Sequence, residues 1–363
     1  MSTRKAFFLL VALSFFSSCS VRTVTNNSYE LNEPFIEPIS TFKSPKAFYS
    51  SPLSTPNNNV VIGGHDKYIY FFNNQGNLLK KYKTNGWVHA SPALLADSTI
   101  AIGSYDGYIY IFNENGELLK SFKPAAGSMF TSIIELPNRL LVFGSNKRGI
   151  IFYDREDSTT HYYPVRKWVH GTPVKFDNDN VAIGSNDKNV YIFNKDTELK
   201  YKIKTNGWIM HSAPARIDES SFAVGSYDKH LYICNNSGET TASFKTGGRI
   251  HATPLAIDNS KIVFGSFDRS IYIVKLDGTL YKKHKTRGKV ISSPVIMDDG
   301  IIIVGSYDKN LYFFSNKGEF IGYYKTKGKL FSTPAILKGN ILVICTTNGY
   351  IEFLKINLQK HNL

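Results

Sequence analysis

Short apolar runs of three to five residues recur along the chain, each closed by glycine or a polar turn, and no stretch keeps a helical period. Val60-Val61-Ile62 ends at Gly63, and Tyr68-Ile69-Tyr70-Phe71-Phe72 follows the tetrad Gly64-His65-Asp66-Lys67. Runs rich in β-branched and aromatic residues predict strands, and the Gly/Asp tetrad between them predicts a hairpin turn. A second turn, Asn73-Asn74-Gln75-Gly76, leads to Leu78-Leu79-Lys80-Lys81-Tyr82-Lys83. This more polar run is expected as an outer strand. The loop Thr84-Asn85-Gly86-Trp87 then enters a strand around Ser91-Pro92-Ala93.

The same order of elements returns eight times. The turn recurs as Gly63-Gly64-His65-Asp66, Gly103-Ser104-Tyr105-Asp106, Gly144-Ser145-Asn146-Lys147 and Gly184-Ser185-Asn186-Asp187. It continues as Gly225-Ser226-Tyr227-Asp228, Gly265-Ser266-Phe267-Asp268, Gly305-Ser306-Tyr307-Asp308 and a degenerate Cys345-Thr346-Thr347-Asn348. Successive copies start 40 or 41 residues apart. A second marker keeps the beat, from Ser51-Pro52 and Ser91-Pro92 to Ser293-Pro294 and Thr333-Pro334, with Ser132-Ile133 in the third copy. Four strands per repeat, with no helix between them, predict an all-β, eight-bladed β-propeller of four-stranded antiparallel blades. Blades stacked in a row leave open edges unless the ring closes. Ile39-Ser40-Thr41-Phe42-Lys43 matches Leu79–Lys83, so the N-terminal segment is expected to give the last blade its outer strand.

The pattern Val-x-Gly-Ser-x-Asp-x-x-Ile/Leu-Tyr, then Gly-x-Leu, Lys-Thr-x-Gly and Ser-Pro resembles the pyrroloquinoline quinone (PQQ)-type propeller repeat, over about residues 42–358. That family contains quinoprotein dehydrogenases and also the BamB-type lipoproteins of outer-membrane β-barrel assembly, which are non-enzymatic scaffolds. The resemblance implies the fold far more than an activity. It also implies that the Ser-Pro strand is innermost and that the loop before it shares one face with the Gly-Ser-x-Asp turn. The tryptophan usual on the outer strand of the family is replaced by Phe42, Tyr82, Phe122, Tyr163, Ile203, Phe244, His284 and Tyr324.

The N-terminus reads as an address. Arg4 and Lys5 precede the apolar run Ala6–Phe16, which is too short to span a bilayer. Phe16-Ser17-Ser18-Cys19 resembles a bacterial lipobox, so residues 1–18 are expected to be a lipoprotein signal peptide and Cys19 the lipidated residue. Residues 19–38 read as a tether, 39–358 as the propeller and 359–363 as a tail. The resemblance of this address to that of exported lipoproteins implies an outer-membrane location facing the periplasm.

Of 363 residues, 42% are hydrophobic and 20% charged, which excludes a disordered chain. The net charge of +14 falls to +12 without Arg4 and Lys5. Such a charge suits an anionic lipid or acidic protein partner, and export argues against nucleic acid. The remaining cysteines, Cys234 and Cys345, sit in strand-like runs and are expected to be buried.

Three sets of residues are candidates for a binding face. The residue three before each Pro position forms a ring of Tyr49, His89, Phe130, His170, His211, His251, Ile291 and Phe331. It reads either as a ligand or metal contact, or as one packed histidine copied by repeat amplification. Blade spacing suggests that only His170, His211 and His251 converge, and no metal is expected. All three tryptophans, Trp87, Trp168 and Trp208, precede those histidines in equivalent loops and serve either for stacking on a ligand or for closing blade gaps. Arg249, Arg287, Lys289, Lys327 and Lys329 cluster in the later loops and form either a docking surface for an acidic segment or glycan, or a solvated rim. The recurrent Asp66, Asp106, Asp187, Asp228, Asp268 and Asp308 are expected to brace their own turns.

Chemistry is harder to find. There is no vicinal cysteine pair, phosphate loop, nucleophile constellation or His-Glu-x-x-His motif, and no blade is lengthened by an insertion. The expectation is a non-enzymatic, monomeric binding or scaffold propeller with no cofactor and no catalytic residue. Its partners would be envelope proteins such as β-barrel assembly components, with membrane contact through the lipid. The alternative is a quinoprotein-like enzyme or a sensor of a small ligand, a quinone or sugar, at the Trp/His face.

Overall fold

The computed structural model describes residues 29–31, 35–124, 127–176 and 180–357. The signal peptide, Cys19 and the tail 359–363 lie outside the described residues.

Eight four-stranded antiparallel sheets are arranged as the blades of a closed propeller. Blade 1 runs outward through Leu53–Ser54, Val60–Gly63, Tyr68–Phe72 and Leu78–Lys83. Blades 2 to 7 repeat that order, with inner strands at Ala93–Leu94, Ile134–Glu135, Val174–Phe176, Ala215–Arg216, Leu255–Ile257 and Val295–Ile296. Blade 8 takes Ala335–Leu337, Ile341–Cys345 and Tyr350–Ile356 from the C-terminal end and Ile36–Lys43 from the N-terminal end. The register pairs Ile36 with Ile356 and Lys43 with Tyr350, so residues 36–38 already belong to this closing strand. Upstream, Leu31 N–H donates to Tyr323 O (2.7 Å) and Tyr323 N–H to Tyr29 O (2.8 Å), which fastens the segment before the strand to the outer edge of blade 7.

The two middle strands of every blade are apolar on both faces because neighbouring blades cover both. Each core cluster accordingly draws on two blades: Val61, Ile69 and Phe71 of blade 1 pack with Ile100, Ile102 and Phe112 of blade 2. The outer-strand aromatics bridge the same gaps. Phe42 packs edge-on to Phe72 (5.1 Å), Tyr82 to Phe112 (5.3 Å) and Tyr163 to Phe193 (5.0 Å). Rings smaller than tryptophan thus fill its usual place between blades. Cys234 and Cys345 are buried, and burial pushes the Cys234 thiol up to about 12.

Candidate functional site

The recurrent aspartates clamp one blade to the next. Asp308 Oδ2 accepts the Tyr312 hydroxyl (2.8 Å) within its blade and the N–H groups of Arg287 (2.8 Å) and Gly288 (3.2 Å) from the preceding interblade loop, while Oδ1 accepts Asn310 N–H (3.1 Å). Asp106, Asp187, Asp228 and Asp268 repeat this with Tyr110, Tyr191, Tyr232 and Tyr272 and with the N–H of Asn85, Arg166, Asn206 and Gly247. At Asp66 the loop residue Pro45 has no N–H, and Ser44 Oγ donates instead (2.7 Å). In blade 8 the groups are exchanged: Asn348 stands at the aspartate position, and Glu352, at the tyrosine position, accepts Lys327 N–H (2.9 Å). Every one of these carboxylates has structural partners.

The clamps set the interblade loops against the turns. Trp87 O accepts Tyr105 N–H, Trp168 O accepts Asn186 N–H, Trp208 O accepts Tyr227 N–H, and Arg249, Lys289 and Lys329 carbonyls do the same for Phe267, Tyr307 and Thr347. Loop and turn therefore share one face, as the resemblance implied. One loop position carries Ala47, Trp87, Ser128, Trp168, Trp208, Arg249, Lys289 and Lys329 in order round this face. It divides into a tryptophan sector and a cationic sector. Each tryptophan is about half exposed (49%, 52% and 50%). The cations lie back over rings of the preceding blade: Arg249 over Tyr227 (5.1 Å), Lys289 over Phe267 (4.9 Å) and Lys329 over Tyr307 (5.8 Å). Arg287 and Lys327 are placed by their backbone bonds to Asp308 and Glu352.

Inside this face the ring residues close the central channel as an aromatic plug. Phe130 contacts His170 (4.7 Å between centroids), His211 contacts His251 (4.7 Å), and Phe331 contacts Tyr49 (4.9 Å) and His251 (5.2 Å). The expectation that only His170, His211 and His251 converge is corrected: His89 also reaches His211 (5.5 Å) because the rings lean inward from their strands. His65, which sequence reasoning missed, joins through a contact of its Nε2 with His89 Nδ1 (3.1 Å). Burial lowers all five, His65, His170 and His251 to about 4, His89 to about 3 and His211 well below the ordinary value. Among the described residues no group of three or more His, Cys, Asp or Glu is arranged to hold a metal ion.

Behind the plug lies a cavity of about 400 Å³ walled by hydroxyl residues, Ser51, Ser91, Ser132, Thr172, Thr253, Ser293 and Thr333 among them. Several of these hydroxyls stitch the ring, accepting a backbone N–H from the neighbouring blade: Ser51 N–H to Ser91 Oγ (2.8 Å), Ala213 N–H to Thr253 Oγ1 (2.9 Å) and Thr253 N–H to Ser293 Oγ (3.0 Å).

No family model and no curated protein sequence matches this chain. Among solved structures, BamB from Moraxella catarrhalis superposes with a TM-score of 0.74 at 14% identity, over 88% of this chain and 100% of that one. The computationally designed Ika8 protein superposes at 0.70 and 15% identity, over 86% and 98% of the two chains. The chain therefore has the eight-bladed propeller fold that BamB has. Since a designed protein shares it, the fold alone carries no function.

Proposed function

We propose that this chain is a lipid-anchored, non-enzymatic binding propeller of the bacterial envelope, attached through Cys19 to the outer membrane on its periplasmic side and serving outer-membrane protein assembly as BamB-type scaffolds do. The observation that carries the binding role is the division of one face into a half-exposed tryptophan sector and a cationic sector, above a channel mouth closed by packed rings. A face closed in this way offers a surface and no entry for a substrate. The carboxylates that could do acid–base work on that face are committed to clamps. The fold of BamB and the lipobox-like Phe16-Ser17-Ser18-Cys19 support the envelope setting.

Cross-linking in native membranes, followed by purification of the full-length lipoprotein and mass spectrometry, tests this reading. Stoichiometric β-barrel assembly components, together with incorporation of labelled palmitate that Cys19→Ser abolishes, are expected. A clean, partnerless protein would overturn the scaffold role. Quenching of tryptophan fluorescence by PQQ with calcium would turn the reading towards the quinoprotein alternative.

A further inference from the structure

Eight near-equal blades make departures from the repeat informative, because a binding site has to be built only once. Two departures meet between the loops of Trp168 and Trp208. The third residue of the Gly-Ser-x-Asp turn is Tyr105, Tyr227, Phe267 or Tyr307 in four blades, and those rings fill space between the flanking interblade loops. Tyr105 and Tyr227 lie against Trp87 and Trp208 of the loop before, and Tyr227, Phe267 and Tyr307 beneath Arg249, Lys289 and Lys329 of the loop after. At Asn186 the ring is missing. The next loop also carries one extra residue, Met210, accommodated by a left-handed backbone at His211 (φ 63°). The missing ring and the extra side chain together frame an opening of about 260 Å³, lined by Arg148, Lys167, Trp168, Asn186, Trp208 and Met210.

The chemistry of this opening is specific. Trp168 and Trp208 supply flat apolar faces, and Met210 a deformable thioether that adapts to apolar side chains. Asn186 is 93% buried by its 7% exposure, and its Oδ1 has no hydrogen-bond partner. An unpaired buried amide oxygen is costly and is matched by a peptide N–H, which donates to it. Arg148 and Lys167 on the rim form no ion pair among the described residues, and neither do Lys188 and Arg249 in the adjoining opening shared through Trp208. No carboxylate lines either opening.

We propose that the opening between Trp168 and Trp208 docks an extended acidic peptide segment of a partner protein, taking one apolar side chain between the tryptophans, pairing its backbone with the Asn186 amide and its carboxylates with Arg148 and Lys167. This rests on the binding-propeller reading and names the partner's chemistry. A glycan would share the stacking and the charge, but the Met210 thioether in the lining favours an apolar side chain over a hydroxylated ring.

The test is selection of a phage-displayed peptide library on the full-length chain in detergent, with selected peptides measured by fluorescence polarisation. Asn186→Tyr restores the ring that other blades carry, so it fills the opening without unsettling the fold. Enriched peptides should combine Asp or Glu with Leu, Met or Phe, and bind about tenfold or more weakly to Asn186→Tyr and to Trp168→Ala. Arg148→Glu with Lys167→Glu should abolish binding. Equal binding to Asn186→Tyr, or no enrichment over it, overturns the proposal. So does a sulfated glycan such as heparin that binds in an Asn186-dependent way while no peptide does. Recovery of the same cross-linked partner with wild type and Asn186→Tyr would remove this site and leave the scaffold role standing.

Discussion

Ser51 Oγ accepts the backbone N–H of Thr333 at 3.0 Å, across 282 residues of sequence, and so joins the inner strands of blades 1 and 8. The same bond in the interior of the chain spans 40 residues, as between Ser51 N–H and Ser91 Oγ. The ring is therefore stitched at its seam by the chemistry used at several other blade junctions. Ser51→Ala is expected to cost about 1 kcal/mol, read as a lower urea midpoint. Deleting residues 36–43 bares the edge of Tyr350–Ile356 and uncovers Phe72, and should abolish cooperative unfolding altogether. A deletion variant that unfolds like the full chain would show that this strand does not close the ring.

The aspartate clamps should be worth more than their tyrosines. Tyr312→Phe removes the hydroxyl's bond to Asp308 and the long one it accepts from Asn310 Nδ2 (3.4 Å), at about 1 kcal/mol. Asp308→Ala leaves the Tyr312 hydroxyl and the Arg287, Gly288 and Asn310 N–H groups without their acceptor, for about 3 kcal/mol. Denaturation of the two single variants gives the order directly, and a reversed order would sink the account.

Blade 8 offers a swap experiment. Glu352 is 1% exposed, and burial pushes its carboxyl above the usual range, only partly offset by the N–H bond and charge of Lys327. A folded-state value above the unfolded one means that the native state holds the proton longer. Glu352 therefore favours folding most below the ordinary glutamate value, and that contribution declines as pH rises. Asn348→Asp with Glu352→Tyr rebuilds the clamp of the other blades. The double variant should melt higher than either single variant at neutral pH, by calorimetry.

The histidine plug predicts the opposite slope. Values lowered to about 4 for His170 and His251 and about 3 for His89 mean that the unfolded chain binds more protons between about 6.5 and those values. The contribution is whole above about 6.5 and is lost as pH falls through that window. Phenylalanine already occupies equivalent positions at Phe130 and Phe331. His89→Phe with His170→Phe should therefore fold, and should flatten the fall in melting temperature between pH 7 and 5. An unchanged slope would mean that the rings are not desolvated.

The repeat made the architecture legible in the sequence. Glycine turns, Ser-Pro steps and β-branched runs are local signals, and their period of 40 or 41 residues already fixes eight blades and a closing N-terminal strand. The role of Asp66, Asp106 and their equivalents as turn residues was equally readable. Their reach back to the loop of the preceding blade was not, because the partner N–H lies about twenty residues back and folding alone brings it close.

The extra residue at Met210 was present as a spacing of 41 in place of 40, and Asn186 as a missing ring. Only the tertiary structure shows that these two irregularities border one opening, since they sit on adjacent turns and loops separated in sequence. The histidine ring was visible as a pattern, but its closure into a plug depends on how far each side chain leans towards the axis. Local backbone chemistry, which a period records, determines the blades. Side-chain convergence across blades depends on ring geometry, and no single repeat encodes it.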